Sequence, residues 1–406
     1  MSTFGLDGVL SWAQAHQLAS TCARPLPDTY ARLDEAAGSI LAQPILTLSA
    51  DPPVDSSAIN GYAVCGAGPW RLADEPTLRP GHAVRMRTGD PLPAHTDAVL
   101  AIDGSAAEHH GDGTVSVIAL DELTQLPDER ARPDLGSGII RESEIAPIGA
   151  LLVPAGRVIT PAILAIAAAA GHDGLEIVRP PVVGVIVLGT SLLSQGQSRG
   201  GRVRDALSNT VPSFVAACGG RGNPAVRAPD TADLLLTEID DAAVDVIITT
   251  GSTAPGPDNH VRQVLRDLGA HWLIDGVAVT PGAQMLLARL PDGRFLVGLP
   301  GEPQSALAGL VTLVSPIIAA LRGAPAVRSY PAAVLFADTP AAEFADDTRL
   351  APVRLEMLDA AQVAHPLADT GPAGLAGWAA ADAVAVVAPG AGFRGDVVQC
   401  IRLSTS

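Results

Sequence analysis

Two predominantly apolar, β-branched runs, Val182 to Leu188 and Val244 to Ile248, the second broken only by Asp245 near its start, constrain this chain more than any other feature. A strand with one solvated face alternates apolar and polar residues. A continuous run must be buried on both faces, as in a parallel sheet covered by helices. Each run is followed by glycine or small hydroxyl residues and then by a helix-period pattern: Asn209 to Cys218, closed by Gly219-Gly220, and Asn259 to Leu268, closed by Gly269. A third strand, Phe295 to Val297, passes through Gly298-Leu299-Pro300-Gly301 into a long apolar helix, Pro303 to Leu321, with a bend expected at Pro316. The alternation of strand and helix assigns this stretch to an α/β unit with a mostly parallel sheet.

The chain has 406 residues, and at roughly 150 residues per domain it calls for two to four units. The first fifty residues read as helical, with Leu10, Ala13 and Leu18 and then Tyr30, Leu33, Ala36 and Ile40 near helical spacing, up to the breaker Asp51-Pro52-Pro53. From Ala58 onward short β-type runs take over: Tyr62 to Cys65, Ala83 to Met86, Ala98 to Ile102 and Thr114 to Ile118. A second helical stretch carries a full set of end signals, with Thr160 as N-cap, Pro161 at the first helical position and Gly171 as stop. The tail, with Ala332 to Phe336, Val353 to Met357, Ala383 to Val387 and Val397 to Leu403, fits a small β-barrel or sheet.

All 26 basic residues are arginine and the formal net charge is -17, so phosphodiester backbones and acidic lipid surfaces are repelled; neither nucleic acid nor membrane is an expected partner. Cys22, Cys65, Cys218 and Cys400 form no Cys-x-x-Cys pair, which signals neither a zinc site nor a disulfide framework. The first ten residues lack the basic and apolar regions of a leader, and the Ala-rich run near Leu164 is far shorter than the ~20 residues a membrane span needs. A cytoplasmic, soluble protein is expected.

In an open parallel sheet, ligands bind beyond the carboxyl ends of the strands. Two such ends are Leu188-Gly189-Thr190-Ser191 and Thr249-Thr250-Gly251-Ser252-Thr253-Ala254-Pro255-Gly256. The second offers backbone N–H groups, hydroxyls and the start of a helix near Asp258 or Asn259, which suits an anion; a tight strand-to-helix turn explains the same residues equally well. Gly298 to Pro303 reads first as a structural turn. The loop from Asp51 to Val64, with Asp55, Ser56, Ser57 and Asn60, and the turn Arg87-Thr88-Gly89-Asp90 are polar enough to carry function, although a solvated loop accounts for both. His109-His110 reads as an exposed hairpin tip, since neighbours on a strand point to opposite faces.

Several of these segments stand in a definite order. Pro52-Pro53-Val54-Asp55-Ser56-Ser57-Ala58-Ile59-Asn60-Gly61-Tyr62-Ala63-Val64 comes first, then Arg87-Thr88-Gly89-Asp90-Pro91-Leu92-Pro93 with Asp97-Ala98-Val99, then Leu152-Val153-Pro154-Ala155-Gly156 with Thr160-Pro161. Thr250-Gly251 to Asp258, Asp275-Gly276-Val277-Ala278 with Pro281-Gly282, and Gly298 to Ser305 follow. As an ordered set they resemble the molybdopterin molybdenumtransferase family, the bacterial MoeA proteins and the E domain of gephyrin, over nearly the whole chain.

The resemblance implies four parts: a linker domain (residues 1–50 and 134–180), an inserted β-rich domain (51–133), a MogA-like α/β domain that binds molybdopterin (181–324) and a C-terminal β-barrel (325–406). It implies a homodimer whose cleft lies between the α/β domain of one subunit and the β-rich domain of the other. The implied reaction inserts molybdate into adenylylated molybdopterin with release of AMP, aided by Mg2+ or another divalent cation, after a MogA/MoaB-type adenylyltransferase has made the substrate. Carried onto this chain, the catalytic set is Asp205, Asp258, Asp55 and Thr88, with Asp205 and Asp258 as metal ligands. The implied binding residues are Thr250, Gly251, Ser252, Thr253, Gly256, Gly298, Pro300, Gly301, Ser305, Ser57, Asn60 and Arg349. The chain departs from the family pattern at Asn60, where Asp is usual, and at Gly189-Thr190-Ser191-Leu192 in place of Gly-Asp-Glu-Leu. It departs again at Thr280-Pro281-Gly282-Ala283-Gln284 in place of Lys-Pro-Gly-Lys-Pro, and at Thr370-Gly371-Pro372-Ala373-Gly374 in place of Gln-Gly-Ser-Gly. A catalytically impaired paralogue that binds molybdopterin or serves as a scaffold is the alternative these departures leave open.

Overall fold

The computed structural model of the chain describes residues 9–74, 76–121, 124–128, 133–256, 259–325 and 329–403. At its centre is a sheet in which Val182–Leu188, Val246–Thr250 and Phe295–Leu299 run parallel and side by side, with Leu286–Arg289 and His271–Asp275 added antiparallel beyond the last of them. Val183, Val185 to Leu188 and Val246 to Ile248 are buried on both faces, as successive β-branched residues require, while the second strand starts at Val246, past the charged Asp245. One face packs on Thr210–Ala217, Pro303–Leu321 and the N-terminal helix Trp12–Thr21; the other packs on Ala232–Asp241 and His260–Asp267. The helix Ala232–Asp241 has no counterpart in the sequence reading, because only Leu235 and Ile239 are buried along it and its polar residues mask the period.

The expectation of a helical first fifty residues is corrected. Only Trp12–Thr21 is helical, with Ser11 and Gln14 forming a reciprocal capping box. Pro25 and Pro27 then forbid continuation, and Asp28–Arg32 and Ile40–Leu41 become strands flanking Gly174–Val178. The apparent helical spacing of Tyr30, Leu33, Ala36 and Ile40 was a coincidence of turn residues with strand residues. Near them lies the helix Pro161–Ala169, capped by Thr160 and stopped by Gly171 at φ 97°, as its end signals require.

The apolar helix at Pro303–Leu321 is interrupted one turn before Pro316 rather than at it. Leu310–Val314 forms a π-turn between two α-helical pieces. Pro316 has no N–H to give the carbonyl of Thr312, and that carbonyl instead meets His16 Nδ1 at 3.1 Å. Trp12 Nε1 donates to Thr312 Oγ at 3.0 Å, and Tyr330 Oη lies 2.7 Å from His16 Nε2. The N-terminal helix is thereby clamped onto the α/β core at a point where the core helix leaves its own carbonyl without an intrahelical donor.

The β-rich segment forms a sheet from Gly61–Cys65, Trp70–Leu72, His82–Met86, Ala98–Ala101, Ser105–His109 and Val115–Leu120, and His109-His110 lies at an exposed hairpin end. The C-terminal segment forms a barrel-like sheet of Ala332–Leu335, Thr348–Leu358, Ala361–Pro366, Ala383–Val387 and Val397–Arg402. This sheet is continuous with the α/β unit through Val277–Thr280, which pairs in parallel with the start of Thr348–Leu358.

Candidate functional site

Because the three central strands are parallel and in register (Val187 beside Thr250, Thr250 beside Leu299), their following loops emerge together at one edge. Gly251 N donates to Leu299 O at 2.8 Å, and a Cβ on Gly301 would lie 3.3 Å from Gly251 Cα. The glycines permit this approach. A Cβ on Gly298 would fall 2.7 Å from Leu286 and 3.0 Å from Thr253, so this glycine serves packing. Thr250 and Thr253 are buried, whereas Ser252, at φ 59°, is half-exposed and accepts from His260 N at 2.7 Å. Arg262 holds the loop from behind: its Nε donates to Thr253 O at 2.8 Å and its guanidinium pairs with Asp275. Gly256 is exposed at the end of the loop, and Asp258 lies outside the described residues.

The third loop carries a feature the sequence reading missed. Glu302 caps the helix at Pro303, its carboxylate accepting from Gln304 N at 3.0 Å and Ser305 N at 2.7 Å. An acid before Pro at the first helical position is an N-cap signal that reading Gly298 to Pro303 as a generic turn overlooked. The donors of this helix start, Ser305 N among them, are therefore already occupied by a carboxylate of the chain. Pro300 is buried and Gly301 is exposed at the lip.

Asp205 sits beside the first loop with little room left on its carboxylate. Oδ1 accepts from Leu207 N at 2.9 Å and Ser208 N at 3.0 Å; Oδ2 accepts from Ser208 Oγ and lies 3.2 Å from Arg227 Nε. Its side chain is 3% exposed. Burial alone would raise its pKa, but the hydrogen bonds from Ser208 and Leu207 and the charge of Arg227 outweigh it and hold the carboxyl below the ordinary range. Among the described residues no group of three or more His, Cys, Asp or Glu side chains is placed to hold a metal ion.

The β-rich loops form a second group. Asn60 Oδ1 accepts from Thr88 N at 3.0 Å, which joins the two polar turns that the sequence singled out separately. Ser57 is fully buried and its hydroxyl donates to Ile59 O at 2.7 Å, so it shapes the loop from within. Asp55 accepts from Glu142 N at 2.8 Å and pairs with Arg141 at 2.6 Å; these contacts, the backbone one first, lower its pKa. Among the described residues no hydrogen bond joins this group to the sheet-end loops.

The C-terminal sheet supplies Arg349, placed beside Thr280 by strand register. Arg349 is ion-paired to Asp369 at 2.6 Å, with its Nε and Asp369 Oδ1 unpartnered and buried. Thr280 Oγ donates to Asp347 Oδ2 at 2.8 Å. Asp347 and Arg349 line a cavity of about 330 Å³ together with Asp338, Thr339, Phe344 and Phe393. Arg349 is therefore paired with one carboxylate and shares its cavity with two more, Asp338 and Asp347, an arrangement no sequence pattern signalled.

Residues 10–171 match the family described as MoeA N-terminal region (domain I and II), and residues 184–320 match the family described as Probable molybdopterin binding domain. A molybdopterin molybdenumtransferase of Bacillus subtilis (strain 168) is 28% identical over 311 residues, covering 70% of this chain and 69% of its own length. Molybdopterin molybdenumtransferase 2 of Mycobacterium tuberculosis (strain H37Rv) is 28% identical over 334 residues, covering 75% and 78%. Two solved structures of molybdopterin biosynthesis MoeA protein from Pyrococcus horikoshii share the fold. One has a TM-score of 0.77 at 22% identity over 98% of this chain and 100% of that one. The other has a TM-score of 0.71 at 19% identity over 97% and 99%. With both of its family matches in the order the motifs foretold, the chain belongs to the MoeA family.

Proposed function

We infer that the protein is a molybdopterin molybdenumtransferase, which acts in molybdenum-cofactor biosynthesis by inserting molybdate into adenylylated molybdopterin with release of AMP. One observation carries the reading: the loops after three parallel strands converge at one edge, and a half-exposed hydroxyl at Ser252 lies beside glycine backbone that a pterin or phosphate can approach. The roles follow from position. Gly251, Ser252 and Gly256 line the rim, with Thr250 and Thr253 setting its shape from below; Gly298, Pro300 and Gly301 close the edge. Asn60 and Thr88 present a second polar rim from the β-rich sheet, and Arg349 is a basic group that reaches molybdate only in competition with its partner Asp369. A MogA/MoaB-type adenylyltransferase would supply the nucleotide substrate, and a cytoplasmic location accords with the four free cysteines.

Among the described residues, the donors at this edge fit a resident divalent cation poorly. Hard cations take several oxygen ligands, and Asp205 has its oxygens committed to Leu207, Ser208 and Arg227.

A homodimer belongs to the same reading. The helix Pro161–Ala169 is wholly apolar, yet only Ala167 is buried along it. Leu48 N bonds to Ala170 O at the end of this helix, and Leu46 pairs with Leu151, so exposed Leu46, Leu48, Leu151 and Ile166 belong to one apolar region. A second copy of the chain is the occupant that would bring one subunit's β-rich rim to the other's sheet edge. The function is tested by supplying purified protein, adenylylated molybdopterin and molybdate to an apo-molybdoenzyme. Molybdate-dependent activation is expected; release of AMP without activation would remove the insertion step.

A further inference from the structure

The stretch between the first sheet strand and Asp205 folds back as a tight ribbon. Arg199 and Arg202 exchange both backbone hydrogen bonds, at 3.1 and 3.0 Å, across Gly200 and Gly201, whose φ values are 60° and 74°. This is a two-residue turn of the type that needs positive φ at both central positions. Residues paired in this way have Cα atoms about 5.5 Å apart and side chains on the same face. Arg204 lies two residues beyond Arg202 and shares that face. Its strand, Val203–Arg204, pairs with Leu192–Leu193 just beyond the carboxyl end of the first parallel strand. Arg202 donates to Leu192 O at 3.0 Å and Arg204 to Leu193 O at 2.9 Å, which tethers both guanidinium groups to the sheet edge.

Like charges directly opposite one another on a ribbon destabilise it. Among the described residues none of the three arginines has a carboxylate partner, in a chain whose net charge is -17. Asp205 is spent on Arg227, and the neighbouring positions are the neutral Thr190 and Ser191. The helix start at Pro303, another source of anion donors at this edge, is filled by Glu302.

We propose that Arg199, Arg202 and Arg204 form an anion-binding face that receives the pyrophosphate linkage of the adenylylated pterin. The proposal rests on the function assigned above for the identity of its ligand, though not for its affinity for pyrophosphate. The guanidinium groups neutralise the phosphates, and their planar forks suit phosphate oxygens in pairs. The ribbon also provides a local positive target that an anion meets only within about a Debye length, ~8 Å at physiological salt.

The test is calorimetric titration of the intact chain with inorganic pyrophosphate and with AMP, at two salt concentrations. Pyrophosphate should bind the natural protein more tightly than AMP and weaken as salt rises. Arg199→Ala with Arg202→Ala should weaken pyrophosphate by about 10- to 100-fold, the loss of two charge-assisted contacts. The Lys pair at these positions should retain part of the affinity, and Arg71→Ala with Arg402→Ala, a remote loss of the same charge, should leave it unchanged. Both turn arginines are exposed, and unfolding curves of the variants are the check that they stay folded. Equal pyrophosphate affinity in the Arg199/Arg202 variant, or equal loss in the remote pair, overturns the anion face. If the natural protein inserts molybdenum under either of those outcomes, the assigned function stands without the face. Arginine-dependent pyrophosphate binding in a protein that inserts no molybdenum upholds the face and removes its assigned ligand.

Discussion

At the scale of single residues, the structure gives several site positions a structural occupation. Asp205 is the clearest: its carboxylate organises the turn Leu207-Ser208 and compensates Arg227. Asp205→Asn removes that charge from a nearly buried position and is expected to cost about 1–3 kcal/mol of stability, read from urea midpoints at neutral pH. The pH dependence has a definite sign. The folded carboxyl lies below its ordinary pKa, so its stabilisation is present above the unfolded value and is lost as pH falls through the folded value. The gap between natural and variant midpoints should therefore close toward acid; a gap that widens there contradicts the role. Thr280 and Ala283 make a second case. Thr280 lies beside Arg349 and bonds Asp347, Arg349 is paired with Asp369, and Asp338 lines the same cavity, so an incoming oxyanion meets more negative than positive charge. Thr280→Lys with Ala283→Lys should lower the molybdate concentration for half-maximal insertion by about tenfold or more. An unchanged molybdate requirement would place these positions away from the oxyanion.

At the scale of elements, the join between the N-terminal helix and the apolar core helix is polar although both elements are mostly buried there. Pro316 frees the Thr312 carbonyl, His16 takes it, and Tyr330 meets the other side of the imidazole. Burial lowers the His16 pKa, which keeps the ring neutral, with one nitrogen donating to the carbonyl and the other accepting from tyrosine. His16→Ala leaves a carbonyl unpaired and should cost about 1–3 kcal/mol, more than Tyr330→Phe, expected at about 0.5–1.5 kcal/mol. Chemical unfolding of the two variants decides it, and equal losses would mean that Thr312 O finds water instead. The π-turn was not legible in the sequence, since Pro316 announces only that a bond is missing. Which group replaces that bond depends on a helix some three hundred residues away.

At the scale of the molecule, the apolar helix Pro161–Ala169 lies on the outside of its unit. Exposed Ile166 and Leu48 are the natural probes of the second copy. Ile166→Asp with Leu48→Asp buries no charge in the single chain and should convert a dimer into a monomer of unchanged secondary structure. Light scattering at micromolar concentration measures this; a monomer in the natural protein, or a dimer in the variant, would count against the apolar face. Because the β-rich rim and the sheet edge share no hydrogen bond within one chain among the described residues, the monomeric variant should also lose turnover.

What local chemistry dictates was readable in advance. The β-branched runs became the central parallel strands because burial on both faces demands such residues, and Thr160, Pro161 and Gly171 bounded their helix through short-range hydrogen bonding and φ alone. The ordered turns also carried the family and the meeting of the sheet-end loops. Tertiary structure decided the rest, because charge partners come from afar. Asp369 meets Arg349 and Asp347 meets Thr280, while Arg141 meets Asp55 from eighty-six residues away. Tyr30 to Ile40 became strands and turns because Gly174–Val178 offered them a ladder. A sequence names the groups that can ionise or pair, but the fold sets their distances, and electrostatic energy depends on distance and burial.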